Sequence, residues 1–600
     1  MTNNTPNNRL KDWWNSSLRE LRYSLSYIDA LPQLTILGCI VGLLTGVIIV
    51  VFRLIIELPL GFWLQDAENF EQLSPAIRAG LILGGAILLG FAFLFIAPRY
   101  RDVSVSHVLD RMHNHQGKLP MRNWLVQFVG GALAMLSGQS VGREGPVTHL
   151  GAGAASMFAQ WLRLPNNSIH ILVGCGVAAA ISASFNTPMA GVIFAMEVLA
   201  MEYTIVGFIP VILASVMGTM INQAALGNEG FIHLDDTNIG SLIELPVMVG
   251  IGGVIALCAG IYIKLNIFSA RFERVPLLLR FTAAGLIAAA FSIFVPEIMG
   301  MGYDTVNAAL AGKIAIYSVL LIAAAKLIVT PITVGLGIPG GLIGPLLVIG
   351  ACIGSALGAI ANFLFPTLGA DPAFYVLIGM AAMMAATINA PLTALVTVLE
   401  LTYNPNVIFP AMLAIVVACL VTRQLFKVKG LFIEQLENSK RHLDFAPAKQ
   451  ALRRVGVMSV MDSRFKISPQ KISLEKAEKL LVSNPMWIVI SDSDGRYSHA
   501  MHAADLANYL EKDEDDTETA TAQEEIDLLE IPSRNFRVSA INDTATLLEA
   551  MQTFTNGTSE VLYVSRSRGA FAGDIQGILT RSAIENYYTP VEFRHVNAVD

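Results

Sequence analysis

The sequence predicts a mainly α-helical membrane protein made of two repeats, followed by a soluble α+β tandem. Three observations point there: low charge with long uncharged runs, two motif pairs recurring about 200 residues apart, and a change of pattern after about residue 440. The 600 residues are 54% hydrophobic and only 14% charged, with a mean hydropathy of +0.56. Soluble domains carry about 25% charged residues, so much of this chain belongs in lipid. Uncharged runs at 30–52, 79–98, 204–227, 245–263 and 372–399 are long enough to cross a bilayer, which takes about 20 residues of helix. The run 327–370 is also uncharged, but glycines and prolines interrupt it, which suggests short or re-entrant helices.

The first apolar run starts near residue 30, after a polar stretch containing Arg9, Lys11, Arg19 and Arg22. A secretory leader would place its apolar core earlier and end on small residues. Basic residues before the first span favour a cytoplasmic N-terminus. The net charge of −7 arises mainly outside the apolar part, notably in the acidic segment 511–525, which reads as a solvated linker. Nothing in the pattern suggests nucleic-acid binding. Cys39, Cys175, Cys258, Cys352 and Cys419 sit in apolar segments without metal-ligand spacing and read as buried packing residues.

The repeat rests on two motif pairs. FNTPMAGVIFAMEV (185–198) and INAPLTALVTVLEL (388–401) place Asn186/Asn389, Pro188/Pro391 and Glu197/Glu400 at matching offsets, 203 apart (389 − 186). GREGPVTHLG (142–151) and GLIGPLLVIG (341–350) align Gly142/Gly341, Gly145/Gly344, Pro146/Pro345 and Gly151/Gly350, 199 apart (341 − 142). Membrane helices need small residues to pack, which accounts for recurring glycines but not for the shared offsets. Such duplications build transporter halves with a substrate site between them.

Gly-x-x-Gly-Pro at the head of an apolar helix lets the backbone turn tightly and puts proline in the first turn, where its missing N–H costs nothing. The free N–H groups there, with the helix dipole, make an anion site without a cationic side chain. In lipid such groups need a partner. Two such starts, one per repeat, point to small anions. Glu144 heads the first of them, so its carboxylate can fill the site itself and leave when protonated or displaced. The bland alternative pairs Glu144 with Arg143 as a structural tie. An ionisable residue inside the membrane is a functional candidate by default.

At these residues the sequence resembles the CLC family of chloride channels and chloride/proton exchangers. GREGP (142–146) is the most specific element, supported by FNTPMAGVIFAME (185–197), GLGIPGGLIGP (335–345) and INAPLTALVTVLE (388–400). The resemblance spans roughly 30–435 and implies two inverted repeats of tilted and re-entrant helices. It also implies a homodimer with one anion pore per subunit, gated by Glu144. Arg143, Gly145, Pro146, Gly341, Leu342, Ile343 and Gly344 fall in its pore-lining motifs, together with Gly142.

Four positions depart from the family pattern. The pore serine aligns with Val103 in DVSVS, with Ser104 or Ser106 as substitutes if the register slips. Ile343 replaces a phenylalanine, and Phe432 replaces the tyrosine at the inner end of the pore. The relay glutamate of the exchangers aligns with Val198; Glu202, four residues on and about one helical turn away, is the candidate substitute. With Val198 unable to titrate, the sequence leans to uncoupled or loosely coupled chloride transport, with proton-coupled antiport as the alternative. Two absent hydroxyls predict weak discrimination among small anions.

After about residue 440, MWIVISDSDG (486–495) and EVLYVSRSRG (560–569) read as strand-to-turn segments 74 apart (560 − 486), each between helical stretches. This resembles a pair of CBS domains. The expected organisation is an N-terminal segment 1–29, a transport domain 30–435, a connector 436–452, CBS copies at 453–511 and 527–590, and the acidic linker 512–526. Such pairs often hold an adenine nucleotide through an aspartate, here Asp505 in the first copy; Ala583 stands at that position in the second. No other cofactor and no metal is expected.

Two other classes fit the sequence less well. A membrane-embedded enzyme would need a catalytic or metal constellation, yet His107, His113, His115, His149 and His170 show no zinc-binding spacing on one helix face. A membrane-tethered sensor would leave the duplicated anion motifs unexplained. The sequence therefore reads as a multi-pass, non-enzymatic protein of the plasma membrane (the inner membrane if bacterial), with both termini cytoplasmic.

Overall fold

The computed structural model describes residues 18–588, apart from 28–29, 65–68, 202, 228–243, 366–370, 442, 444–446, 493, 516–524 and 567–574. The chain divides into a larger helical unit, 31–161 with 169–444, and a smaller unit of residues 1–30, 162–168 and 445–600. Among the described residues, nine helices are long and apolar enough to cross a membrane.

The first half of the larger unit comprises α1 (Leu31–Leu64), α2 (Pro75–Leu94), α3 (Val105–Asn114), α4 (Met121–Leu136) and α5 (Glu144–Trp161). It continues with α6 (Asn166–Phe185), α7 (Pro188–Glu197) and α8 (Ile205–Leu226). The second half holds α9 (Leu245–Ala270), α10 (Leu277–Phe294), α11 (Tyr303–Leu310), α12 (Ile316–Gly335) and α13 (Ile343–Leu364). It ends with α14 (Pro372–Ile388), α15 (Pro391–Thr402), α16 (Ile408–Phe426) and α17 (Leu431–Asn438). Two sequence expectations change in detail. The uncharged run 372–399 is two helices rather than one span, because Asn389 turns left-handed (φ 57) between them. The run 327–370 breaks at 336–342 as expected, but α13 beyond the break is 22 residues long and apolar enough to span.

Each matched offset of the repeat has a physical role. Asn186 (φ 59) and Asn389 (φ 57) both take the left-handed conformation that ends α6 and α14, which asparagine tolerates better than most residues. Pro188 and Pro391 open α7 and α15 at a first-turn position. Gly151 and Gly176 let α5 and α6 touch backbone to backbone: a Cβ on either would lie 2.2 Å from the other's carbonyl oxygen. Gly350 and Gly379 repeat this between α13 and α14, at 2.4 and 2.2 Å. Close approach through small residues is what holds membrane helices together where lipid removes the hydrophobic drive.

Glu197 and Glu400 form a reciprocal pair. The backbone N–H groups of Met189 and Ala190, at the start of α7, donate to Glu400 at 2.8 and 2.7 Å. Those of Leu392 and Thr393, at the start of α15, donate to Glu197 at 3.1 and 2.7 Å, and the Thr393 hydroxyl adds a third bond. Each carboxylate thus caps the N-terminus of the partner helix, as expected of a structural pair related by an approximate two-fold axis. Hydrogen bonds to a charged group contribute about 1.5–3 kcal/mol. Glu197→Ala and Glu400→Ala should therefore each lower stability by about 2 kcal/mol, read as similar losses of melting temperature in detergent. A large loss for one and none for the other would argue against the symmetric role.

In the smaller unit, β1 (Phe465–Pro469), β3 (Trp487–Ser491), β4 (Tyr497–His502), β6 (Phe536–Asn542), β7 (Val561–Ser565) and β8 (Ile575–Thr580) form one sheet in that order; β2 (Lys471–Ile472) pairs with β5 (Ile526–Asp527). Parallel β1–β3 followed by antiparallel β4 is mirrored by parallel β6–β7 followed by antiparallel β8. Strands β3 and β7 begin 74 residues apart (561 − 487), as the sequence spacing predicts. Helices α18 (Pro447–Arg453), α19 (Leu474–Val482), α20 (Ala503–Asp515), α21 (Leu547–Asn556) and α22 (Arg581–Tyr588) complete the unit. Thr546 and Glu549 cap α21 with a full capping box, and Glu549 also accepts from Asn166 Nδ2 at 3.0 Å.

Candidate functional site

The two Gly-x-x-Gly-Pro loops meet. Gly142 N–H donates to Gly341 O at 2.7 Å and Gly341 N–H donates to Gly142 O at 2.6 Å, an antiparallel bridge between equivalent residues of the two repeats. Arg143 and Leu342 make the following bend, and Glu144 and Ile343 are the first residues of α5 and α13. The pseudo-symmetric mate of the glutamate is therefore the isoleucine, which leaves one carboxylate at the meeting point. Gly145 packs on Gly340 and Gly341 so closely that a Cβ there would lie 2.9 Å from the Gly340 carbonyl oxygen. Pro146 lies against Gly131 of α4.

Glu144 is fully buried. Its Oε1 accepts from the Tyr303 hydroxyl at 3.4 Å, and the carboxylate faces the backbone N–H of Gly344. Its Oε2 has no hydrogen-bond partner among the described residues. The carboxylate thus occupies the first-turn N–H groups that a bare anion would otherwise satisfy. Among the described residues no hydrogen bond or ion pair joins it to Arg143, whose charge nonetheless acts on it. The Arg143 guanidinium bonds Glu57 of α1 at 3.3 Å and lies over the rings of Phe185 and Tyr303. Glu57 also holds Arg53 at 2.8 Å. Arg53, Glu57, Val141, Arg143, Tyr303 and Asp304 line a cavity of about 300 Å³.

The remaining motif residues lie at the starts of α3 and α17. Ser104 caps α3 at φ 92; its N–H donates to Gln127 Oε1 at 2.9 Å and its hydroxyl meets that of Ser106 at 2.9 Å. Gln127 and Asn123, which donates to Asp102 O at 2.8 Å, are α4 residues that hold the loop containing Val103. Helix α17 starts after Gly430 (φ 114) with Phe432 buried in its first turn. Helix α3 packs on both α5 and α17, and α5 on α13, so the four helices that start at motif glycines or serines form one contact chain.

Other expected positions are less central. Val198 caps the end of α7 and is partly buried; Glu202 lies outside the described residues. Asp505 sits in the first turn of α20. The cleft of about 790 Å³ in the smaller unit is lined by Trp487, His502, Arg534, Phe536 and Ala583 among others, but not by Asp505.

Two hydroxyls escaped the motifs. Tyr303 of α11 reaches Glu144 directly. Tyr262 of α9 is fully buried, feels the charge of Glu144, and has no hydrogen-bond partner for its hydroxyl among the described residues. The expectation of a site without tyrosine hydroxyls, drawn from Phe432, looked only at the position where the family motif falls. Both tyrosines come from helices with no motif of their own, so only their burial in an otherwise apolar setting could have flagged them.

A pair of pseudo-symmetric helical repeats, with opposed helix starts and one buried carboxylate between them, defines a membrane transport protein for small anions. The model of the family described as voltage gated chloride channel matches residues 84–423, and the chain belongs to that family. It is similar to the H(+)/Cl(-) exchange transporter ClcA of Vibrio vulnificus, at 27% identity over 391 residues, which is 62% of this chain and 83% of the relative. A solved slow cyanobacterial Cl-/H+ antiporter matches 68% of this chain and 97% of its own at 25% identity, with a TM-score of 0.61. A eukaryotic CLC transporter structure at 17% identity covers 92% of this chain with a TM-score of 0.58, so the fold likeness extends into the smaller unit.

Proposed function

We propose that this protein exchanges chloride for protons across a membrane, with Glu144 as the gate. The observation that carries the proposal is the fully buried Glu144 carboxylate between the bridged glycines Gly142 and Gly341. Ionised, it competes with the anion for the same N–H groups; protonated, it releases them. One group thereby ties proton binding to anion entry. Val198 alone favours uncoupled transport, whereas the Vibrio vulnificus relative is an exchange transporter and the cyanobacterial structure an antiporter. Exchange requires that outward chloride flow drive protons inward. Dual measurement in proteoliposomes tests it.

Chloride selectivity would rest on backbone N–H groups supplemented by Tyr262 and Tyr303. Tyr262→Phe deletes a donor whose bond to a charged partner is worth about 1.5–3 kcal/mol. The expected result is a roughly tenfold weaker preference for chloride over nitrate, with the protein still folded. Unchanged selectivity would place Tyr262 outside the anion site.

The functional unit is a homodimer. Helices α7 and α15, at 10 and 12 residues, are too short to span a bilayer, yet they expose Met189 and Leu392 at equivalent positions of the repeat, 56% and 50% accessible. Helix ends at membrane depth need protein rather than lipid around them, which a second copy supplies. The smaller unit is the cytoplasmic regulatory tandem, and the protein resides in the plasma membrane.

A further inference from the structure

Near the anion site lie two buried histidines that the gate does not use. His107, in the first turn of α3, and His149, on α5, are 4% and 0% exposed. Their rings are inclined by 21° with centroids 5.1 Å apart, and His107 Nδ1 lies 2.8 Å from His149 Nε2. That geometry sets the rings edge to edge and nearly coplanar, joined by one hydrogen bond. Arg111 Nε–H donates to His107 Nε2 at 3.3 Å.

Because arginine does not lose its proton, this last bond fixes both tautomers. His107 Nε2 accepts, so its proton is on Nδ1 and is donated to His149 Nε2. The His149 proton is then on Nδ1, a buried atom with no hydrogen-bond partner among the described residues. An orphaned buried donor carries a penalty, and here it ends a row of bonds that all point one way. Arg111, at the head of the row, lies within electrostatic reach of a charged cluster of Asp102, Asp110 and Arg441. Arg441 bonds Asp102 and, at 3.4 Å, Asp110, and His115 lies 3.7 Å from Asp110. The side chains of Arg441, Asp102 and His115 are 37%, 45% and 49% exposed. Its far end is on the helix that starts with Glu144, five residues earlier, about 7.5 Å along the axis.

We infer that His107 and His149 form the proton relay between the solvent at the Arg441–Asp110 cluster and Glu144, in place of a carboxylate at Val198. The inference rests on the exchange reading above. A proton entering binds His107 Nε2 as Arg111 swings aside. His107 Nδ1–H passes to His149 Nε2, and His149 Nδ1–H leaves toward the Glu144 carboxylate through intervening water. Each ring gains one proton and loses one, so the pair ends neutral with its tautomers inverted, and a ring flip resets it. Imidazole suits this because it can take a proton on one ring nitrogen while giving up the proton on the other. The charged groups acting on the pair are Arg111 and His115 of α3 and Arg441 beyond α17.

The test uses the full-length protein in proteoliposomes, with chloride and proton movement recorded together for wild type, His107→Gln and His149→Gln. Glutamine keeps a hydrogen-bonding side chain but cannot titrate. The expected result is chloride movement of the wild-type order with proton movement down about tenfold or more, so the proton-to-chloride ratio falls. A packing defect would slow both ions equally and leave the ratio intact. A wild-type ratio in both variants overturns the relay while leaving exchange standing; if one variant does not fold, the ratio in the other decides. Wild-type chloride flux without any proton movement overturns exchange and the relay with it.

Discussion

In Glu144→Gln, chloride should flow at a rate nearly independent of pH, and proton movement should vanish. The glutamine amide copies the shape of the protonated acid but carries no charge. It therefore cannot hold the N–H groups at the starts of α5 and α13 against chloride as the ionised carboxylate does. In wild type the sign is set by the same competition. Acidification protonates Glu144, frees the site and raises flux; alkalinity does the reverse. The expected effect on proton movement is total, because among the described residues no other carboxylate reaches the bridged glycines: the repeat-related position is Ile343. Flux in radiotracer or electrode assays across a pH series reads both arms. A Glu144→Gln profile that keeps the wild-type slope would remove Glu144 from the gate.

The second large effect separates two glycines that look equivalent in sequence. A Cβ at Gly142 would lie 2.0 Å from Glu144 Oε2, the free end of a flexible side chain. A Cβ at Gly341 would lie 2.6 Å from Oε2 but also 2.6 Å from the Gly145 nitrogen and 2.8 Å from the Glu144 nitrogen. Backbone cannot step aside as a carboxylate can. Gly142→Ala should displace the carboxylate and leave a folded protein whose flux has lost most of its pH dependence, much like Glu144→Gln. Gly341→Ala should strain the bridge itself, costing transport at least about tenfold and stability by about 1–3 kcal/mol. Size-exclusion profiles with flux at two pH values distinguish them. Identical behaviour of the two variants would contradict the asymmetry.

Much of this arrangement was legible because its physics is local. A left-handed asparagine, a first-turn proline and a glycine loop ahead of an apolar helix are backbone requirements, so they leave residues at fixed offsets, and the duplication doubled the signal. Glu197 and Glu400 were legible as a pair, though not as crossed caps, since that depends on two short helices packing side by side. What the sequence concealed comes from elements far apart in the chain. Glu57 reaches Arg143 from α1, Tyr303 reaches Glu144 from α11, and His107 meets His149 across 42 residues. Each is a polar side chain whose partner lies far away in the chain, and in sequence it looks the same as a satisfied core residue. The tyrosine that the family motif led one to seek at Phe432 illustrates the point. Hydroxyls do stand near Glu144, but they arrive from α9 and α11.

The most direct test of coupled exchange places the purified protein in liposomes loaded with potassium chloride and diluted into low-chloride medium at equal pH. Potassium and valinomycin clamp the potential near zero, and a pH electrode stands outside. The account predicts chloride efflux accompanied by proton uptake that drives the lumen more acidic than the bath, abolished in Glu144→Gln. Robust chloride efflux with no proton uptake in the wild type would contradict it.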